Sequence, residues 1–245
     1  MPVARTMRRL AISMLLAAAP AAAQGVQPGF GPDGRYYGHL PYAELPNAAR
    51  AALAQTLSPD KSCELHRDAA AALYRLTDAA RLAGIQLRLI SCFRTTAHQQ
   101  TLFCGAGAIG PCRDPTERAR SVAPGGYSEH VTGYAVDFGT PSPAGCGDLD
   151  PCMAGTPGGL WLAANAPRFG FELSFPPGNA QGVTWEPWHW RWVGTDPAEP
   201  GATAARAAFA RARSGFPARP AVRDAAPPAV RLKPVDPRTF TGPRD

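Results

Sequence analysis

Two short runs of the chain hold residue types that can bind a metal ion and move a proton. The first is S-E-H-V-T-G-Y-A-V-D, Ser128 to Asp137. His130 and Asp137 stand seven apart with Gly133 between them. A glycine lets the chain turn, so a loop histidine and a strand carboxylate can meet at one point. The second run is W-E-P-W-H-W-R-W, Trp185 to Trp192. Here Glu186 and His189 stand three apart, and Pro187 keeps the segment extended. Two histidines and one carboxylate make a three-ligand zinc site with a fourth position open. Zinc so held lowers the pKa of water to about 7. A second carboxylate nearby can take the proton and pass it to a leaving amine. From spacing alone a plainer account stands beside this one. His130 is then a loop histidine bonded to backbone, and His189 a core histidine in an aromatic strand. His39 lies in the irregular N-terminal stretch, His66 has no ligand partner four residues on, and His98 sits on the short helix after Arg94.

The elements that must position these residues are short and mixed. Pro46–Thr56 and Cys63–Ala83 read as helices. In the second, Leu65, Ala69, Leu73, Leu76 and Ala80 form one apolar stripe, and Gly84 ends it. Residues 85–90 alternate as a strand does. Thr95 caps a helix over Thr96–Phe103, and Gly105–Gly126 reads as a long loop. Gly133–Phe138, Phe171–Ser174 and Trp188–Val193 read as strands, and Gly158–Phe169 as a helix stopped by Gly170. There is no βαβ repeat, so the class is α+β with a small antiparallel sheet flanked by helices. Alternation places Trp188, Trp190 and Trp192 on the face opposite His189. Residues 24–42, rich in Gly, Pro and Tyr, form an extended N-terminal segment, and 43–196 form the catalytic domain. Residues 197–245, with nine Pro and few large apolar side chains, read as a disordered Ala/Pro/Arg-rich tail. Within it, only Ala202–Arg213 has helical character.

Charge and cysteines bear on partners and compartment. The net charge of +6 comes from 25 basic and 19 acidic residues. Residues 24–196 hold 13 basic and 15 acidic residues, so the surplus sits at the two ends. That excludes a basic body of the nucleic-acid-binding kind. Residues 1–23 have the form of a signal peptide: Arg5, Arg8 and Arg9, an apolar run from Leu10 to Ala19, and Ala21-Ala22-Ala23 before Gln24. A periplasmic or extracellular monomer without a lasting membrane anchor is expected. Six cysteines in an oxidising compartment favour disulfides. Closeness in sequence suggests Cys104–Cys112 and Cys146–Cys152, leaving Cys63–Cys92.

Taken together, three ordered motifs resemble those of a known family. Ser128–Asp137, preceded by P-G-G-Y, resembles the S-x-H-x-x-G-x-A-x-D signature of the zinc peptidases of peptidase family M15. E-P-W-H resembles that family's E-x-W-H. S-C-F-R-T-T-A-H-Q-Q, Ser91 to Gln100, looks like its S-G-Y-R-S segment. The motifs span Ser91–Gly194, and the VanY-like D-alanyl-D-alanine carboxypeptidases are the nearest branch. The resemblance implies a hedgehog/D,D-peptidase-like fold and hydrolysis of the terminal D-Ala-D-Ala bond of peptidoglycan stem peptides. It implies zinc held by His130, Asp137 and His189, with Glu186 as catalytic base. It implies Arg94 on the substrate's terminal carboxylate, with Gln99 and Ser128 beside the substrate. A planar guanidinium suits a carboxylate independently of any family. Two alternatives share the metal centre: an L,D-carboxypeptidase or endopeptidase, and a non-catalytic zinc module that binds cell wall. Cys92, Phe93 and Thr95 depart from the family's Gly, Tyr and Ser, so substrate contacts there are open.

Overall fold

The computed structural model describes residues 29–58, 62–105, 114–141 and 145–223. The signal-peptide reading, residues 1–23, and the end of the tail, 224–245, fall outside them. No helix among the described residues is long and apolar enough to cross a membrane.

The chain builds two antiparallel sheets and six helices among these residues. Strands β1 (Arg50–Ala52) and β2 (Glu64–His66) form a pair. Helix α1 (Arg67–Leu82) follows at once. Its Ala69, Leu73, Leu76 and Ala80 are wholly buried, so the apolar stripe is the face that meets the core. His66 accepts from the Asp68 amide at its start, and Gly84 ends it at φ 74°. Strand β3 (Arg88–Ser91) leads to α2 (Thr96–Cys104), where Thr95 Oγ1 accepts from the His98 amide at 3.1 Å. The expected long loop after it contains α3 (Pro115–Ala119). Next come β4 (Ala135–Gly139), α4 (Pro157–Asn165), β5 (Phe171–Leu173) and β6 (His189–Trp192). The larger sheet has the order β3-β4-β6-β5, antiparallel throughout. Trp190 and Trp192 pack in the core with Phe138, Phe171 and α1.

Three expectations are corrected. Pro46–Thr56 is not a helix: Asn47–Ala49 make one 3-10 turn, and Arg50–Ala52 then pair with Glu64–His66. Ladder bonds to a distant strand outweigh local helix propensity there. The helix expected from Cys63 begins at Arg67, because Glu64–His66 are taken by that same pairing. The folded unit also runs past residue 196. Helices α5 (Ala202–Ala208) and α6 (Ala210–Gly215) bury Ala202, Ala205, Phe209 and Ala212 against the core.

Two of the three expected disulfides lie in the described residues. Cys63–Cys92 joins the entry of β2 to the exit of β3, and Cys146–Cys152 closes a loop. Cys112 of the third pair, Cys104–Cys112, lies outside the described residues.

Candidate metal centre and its cleft

Asp137 on β4 and His189 on β6 are direct cross-strand partners. Their side chains therefore leave the sheet on one face, side by side. His130 arrives from a 3-10 turn, Glu129–Thr132, that runs into β4 through Gly133 at φ 68°. A β-carbon on Gly133 would press on the Leu45 side chain, and the left-handed backbone there favours glycine. Donor atoms of His130, Asp137 and His189 all lie within 4.8 Å of one another, and all three residues are buried.

The donor set fits a small cation. Asp137 Oδ2 faces His130 Nε2 at 3.2 Å, and Oδ1 faces His189 Nδ1 at 2.9 Å. Each ring's other nitrogen is already used. His130 Nδ1 donates to the Cys92 carbonyl at 2.7 Å, and His189 Nε2 to Glu129 Oε2 at 3.0 Å. These bonds orient both rings, so that the neutral form of each turns a lone pair toward the centre. His130 Nε2 is buried and, beyond its approach to Asp137, has no partner among the described residues, the state of an atom kept for a ligand. Zinc, which takes nitrogen and carboxylate donors in threes with an open position, suits this set.

The electrostatics follow from burial and neighbours. Burial, with Arg94 close by, lowers His130 to about 4 despite Asp137, so the ring is neutral. Burial also disfavours a charged His189, but bonds to Asp137 and Glu129 prevail and raise it to about 10. Burial opposes ionised Asp137, yet His130 and His189 hold its carboxyl far below the usual range. Glu186 is different. Burial dominates there and lifts it to about 8, with Asp137 adding and with His189 and Arg94 opposing. A buried carboxyl with a perturbed pKa inside a cleft is a candidate for general acid–base work, and a cation held beside it would lower that pKa and favour the carboxylate.

The cleft has a volume of about 490 Å³. Its lining includes His130, Asp137, Glu186, His189 and, from the wall, Arg94, Gln99 and Ser128. Every residue singled out for chemistry in the sequence thus shares one cavity. The Arg94 amide donates to the His130 carbonyl at 3.4 Å, and its Nε is buried without a hydrogen-bond partner among the described residues. Burial lowers its pKa, while Asp137 and Glu186 push back. Gln99 donates to the Ala123 carbonyl at 2.7 Å and keeps a buried Oε1 that has no partner among the described residues. Ser128 Oγ accepts from the His130 amide at 3.3 Å, so it also caps the turn bearing the ligand. His98 stands outside the metal cluster.

Sequence reasoning passed over several residues here. His39 and Tyr42 of the N-terminal segment line the cleft, as do Leu149 and Pro151 of the Cys146–Cys152 loop. Behind the centre lies a buried ionic group. Glu129 pairs with Arg191 at 2.8 Å, and Arg191 pairs with Glu172 at 2.8 Å. Burial disfavours the charge on Glu129, but Arg191, His189 and Ser174 overcome it and hold the carboxyl far below its usual range. The signal for Arg191 was present: alternation along β6 puts it on the same face as His189.

Over residues 62–195 the chain matches the family described as VanY: D-alanyl-D-alanine carboxypeptidase. That match covers more than half of the chain, and the protein belongs to this family. A D-alanyl-D-alanine carboxypeptidase of Enterococcus faecalis (strain ATCC 700802 / V583) is 34% identical over 134 residues, which is 51% of this chain and 47% of that one. The YodJ protein of Bacillus subtilis (strain 168) is 33% identical over 133 residues, 53% of this chain and 46% of that one. The chain spans about half the length of these curated relatives. Among solved structures, the LdcB LD-carboxypeptidase superposes with a TM-score of 0.56 at 25% identity, covering 76% of this chain and 84% of that one.

Proposed function

We propose that the protein is a zinc-dependent carboxypeptidase that removes the terminal D-Ala from D-Ala-D-Ala stem peptides of peptidoglycan. One observation carries this reading: the buried His130–Asp137–His189 donor set shares a cleft with Glu186, lifted to about 8, and with Arg94. Zinc would be held by His130, Asp137 and His189, and when bound it polarises the scissile carbonyl and activates water. Arg94 receives the substrate's terminal carboxylate in a forked pair of hydrogen bonds. A cation for that carboxylate in the wall of the metal's own cleft restricts cutting to the chain end. Glu186, whose carboxylate form a bound dication would favour, takes the proton from the attacking water and returns it to the nitrogen of the departing D-amino acid. Gln99 and Ser128 offer polar atoms to the substrate backbone.

A second reading is supported by the likeness to LdcB, named an LD-carboxypeptidase. The same centre then releases D-Ala from tetrapeptide stems, and the walls set by Leu149 and Tyr42 decide which stem fits. The N-terminal run of residues 1–23 and the two disulfides support an exported protein.

Digestion of defined muropeptides, with zinc added or chelated, tests both readings. Free D-Ala from pentapeptides, lost on chelation and in Glu186→Ala, is the expected result. Release only from tetrapeptides establishes the second reading, and turnover retained in Glu186→Ala removes that residue from the base role.

A further inference from the structure

The metal centre is braced from behind by charges that reach it from the C-terminal helices. Glu129 is 3% exposed and its carboxylate has four donors. Oε2 accepts from His189 Nε2 at 3.0 Å and from Ser174 Oγ at 2.5 Å. Oε1 accepts from Arg191 at 2.8 Å and from the Tyr42 hydroxyl at 3.3 Å. A carboxylate so filled cannot swing, and the ring it holds cannot either.

The brace continues outward. Arg191 Nε donates to Glu172 Oε1 at 2.8 Å. Glu172 in turn meets Arg213 Nε at 3.3 Å and accepts from the Val222 amide at 3.3 Å. The Arg191 guanidinium also lies over the Phe209 ring, 5.3 Å from its centroid. Arg213, Val222 and Phe209 all follow residue 195, where the family match ends. Buried ion pairs add little net stability, because desolvation cancels most of the attraction. Stability alone is therefore a poor reason for a chain of four buried or part-buried charges that ends on a ligand's imidazole.

We propose that Glu129 is a positioning residue for His189, and that the C-terminal segment holds Glu129 in place through Arg191 and Glu172. By accepting the Nε2–H hydrogen bond, Glu129 fixes the ring's rotation and leaves Nδ1 as the nitrogen turned toward Asp137 and the metal position. An amide at this position also presents N–H groups, which cannot accept that proton and which can turn the ring over. The segment beyond the family's shared region is thus part of how this chain binds its metal. The inference rests on the zinc reading above.

The test is zinc affinity by competition with a chromophoric chelator, at a temperature where every variant is folded, on the full chain. Glu129→Gln is expected to weaken binding about 10- to 100-fold. Arg213→Ala, further out and partly solvent-exposed, is expected to weaken it about two- to tenfold. Arg213→Ala serves as the variant of record if Glu129→Gln does not fold. A purely structural role predicts the opposite pattern: lowered melting temperatures of the metal-free variants with an unchanged zinc dissociation constant, and that pattern overturns the proposal. Wild-type protein that takes up no zinc overturns the functional reading itself, and this inference with it. Wild type that binds zinc, with both variants equal to it, overturns this inference alone.

Discussion

Glu186 offers a direct test of how burial shapes the site, because its effect on stability should oppose its effect on catalysis. Its carboxyl rises from an ordinary 4.5 to about 8, chiefly through burial. The folded chain therefore prefers the neutral form, while the unfolded chain ionises near 4.5. Stability from this group is complete below pH 4.5 and is lost progressively as pH rises toward 8. One pH unit of separation is about 1.4 kcal/mol, so on the order of 3 kcal/mol is missing at pH 7. Glu186→Gln keeps the shape and abolishes the titration. In chelator, the variant should exceed wild type by up to about 3 kcal/mol at pH 7 and match it at pH 4. For a chain of this size that is a rise in Tm on the order of 6–12 °C. Urea melts of both proteins at pH 4, 5.5, 7 and 8 measure it. A variant no more stable than wild type at pH 7, or an advantage that persists at pH 4, refutes the burial argument. Turnover should fall to background in the same variant, since the group the fold tolerates poorly is the one the reaction needs.

Three other outcomes are expected. Arg94→Ala should lower kcat/KM at least about 100-fold through lost charged hydrogen bonds, and a C-terminally amidated substrate, poor for wild type, should be no worse for the variant. Zinc uptake by Glu186→Gln at pH 7 should release about one proton, because His189 sits at about 10 without metal and must deprotonate to ligate, while the second group protonated at this pH, Glu186, is absent; calorimetry in buffers of different ionisation enthalpy counts it, and no release refutes a charged His189. Replacing both Cys63 and Cys92 by Ser opens a link of separation 29, at a cost of about 3–4 kcal/mol from chain entropy. It should also weaken zinc binding, since the Cys92 carbonyl that fixes His130 is then free to move; chelator competition shows whether it does.

What the sequence made legible is what local chemistry specifies. The stripe in α1 follows from helical period, the Thr95 cap from a side chain three residues from its target, and the turn at Gly133 from a left-handed position that favours glycine. The ligand set is legible for a related reason. His130 and Asp137 bracket one turn and one strand, so their separation in sequence is nearly their separation in space. Residues 46–56 misled because the deciding bonds come from Glu64–His66, across a stretch that propensity does not see.

The same limit explains why 197–223 looked like tail. Alanine is a poor witness to burial, being common on surfaces and in cores alike, yet Ala202, Ala205 and Ala212 are buried in the core. One large side chain, Phe209, sets that segment on the core, against Tyr42, Tyr134 and Arg191. Its neighbours Arg213 and Val222 then meet Glu172. Each of these contacts joins residues at least 18 positions apart, and none has a pattern within its own segment. The ligands of such a centre can therefore be read from short motifs, while the groups that aim the ligands cannot. A strand that alternates Trp and charge is the exception. Arg191, on the buried face with His189, demands a counter-ion that no neighbour in sequence along β6 supplies, and Glu129 beside His130 is the acid that answers it.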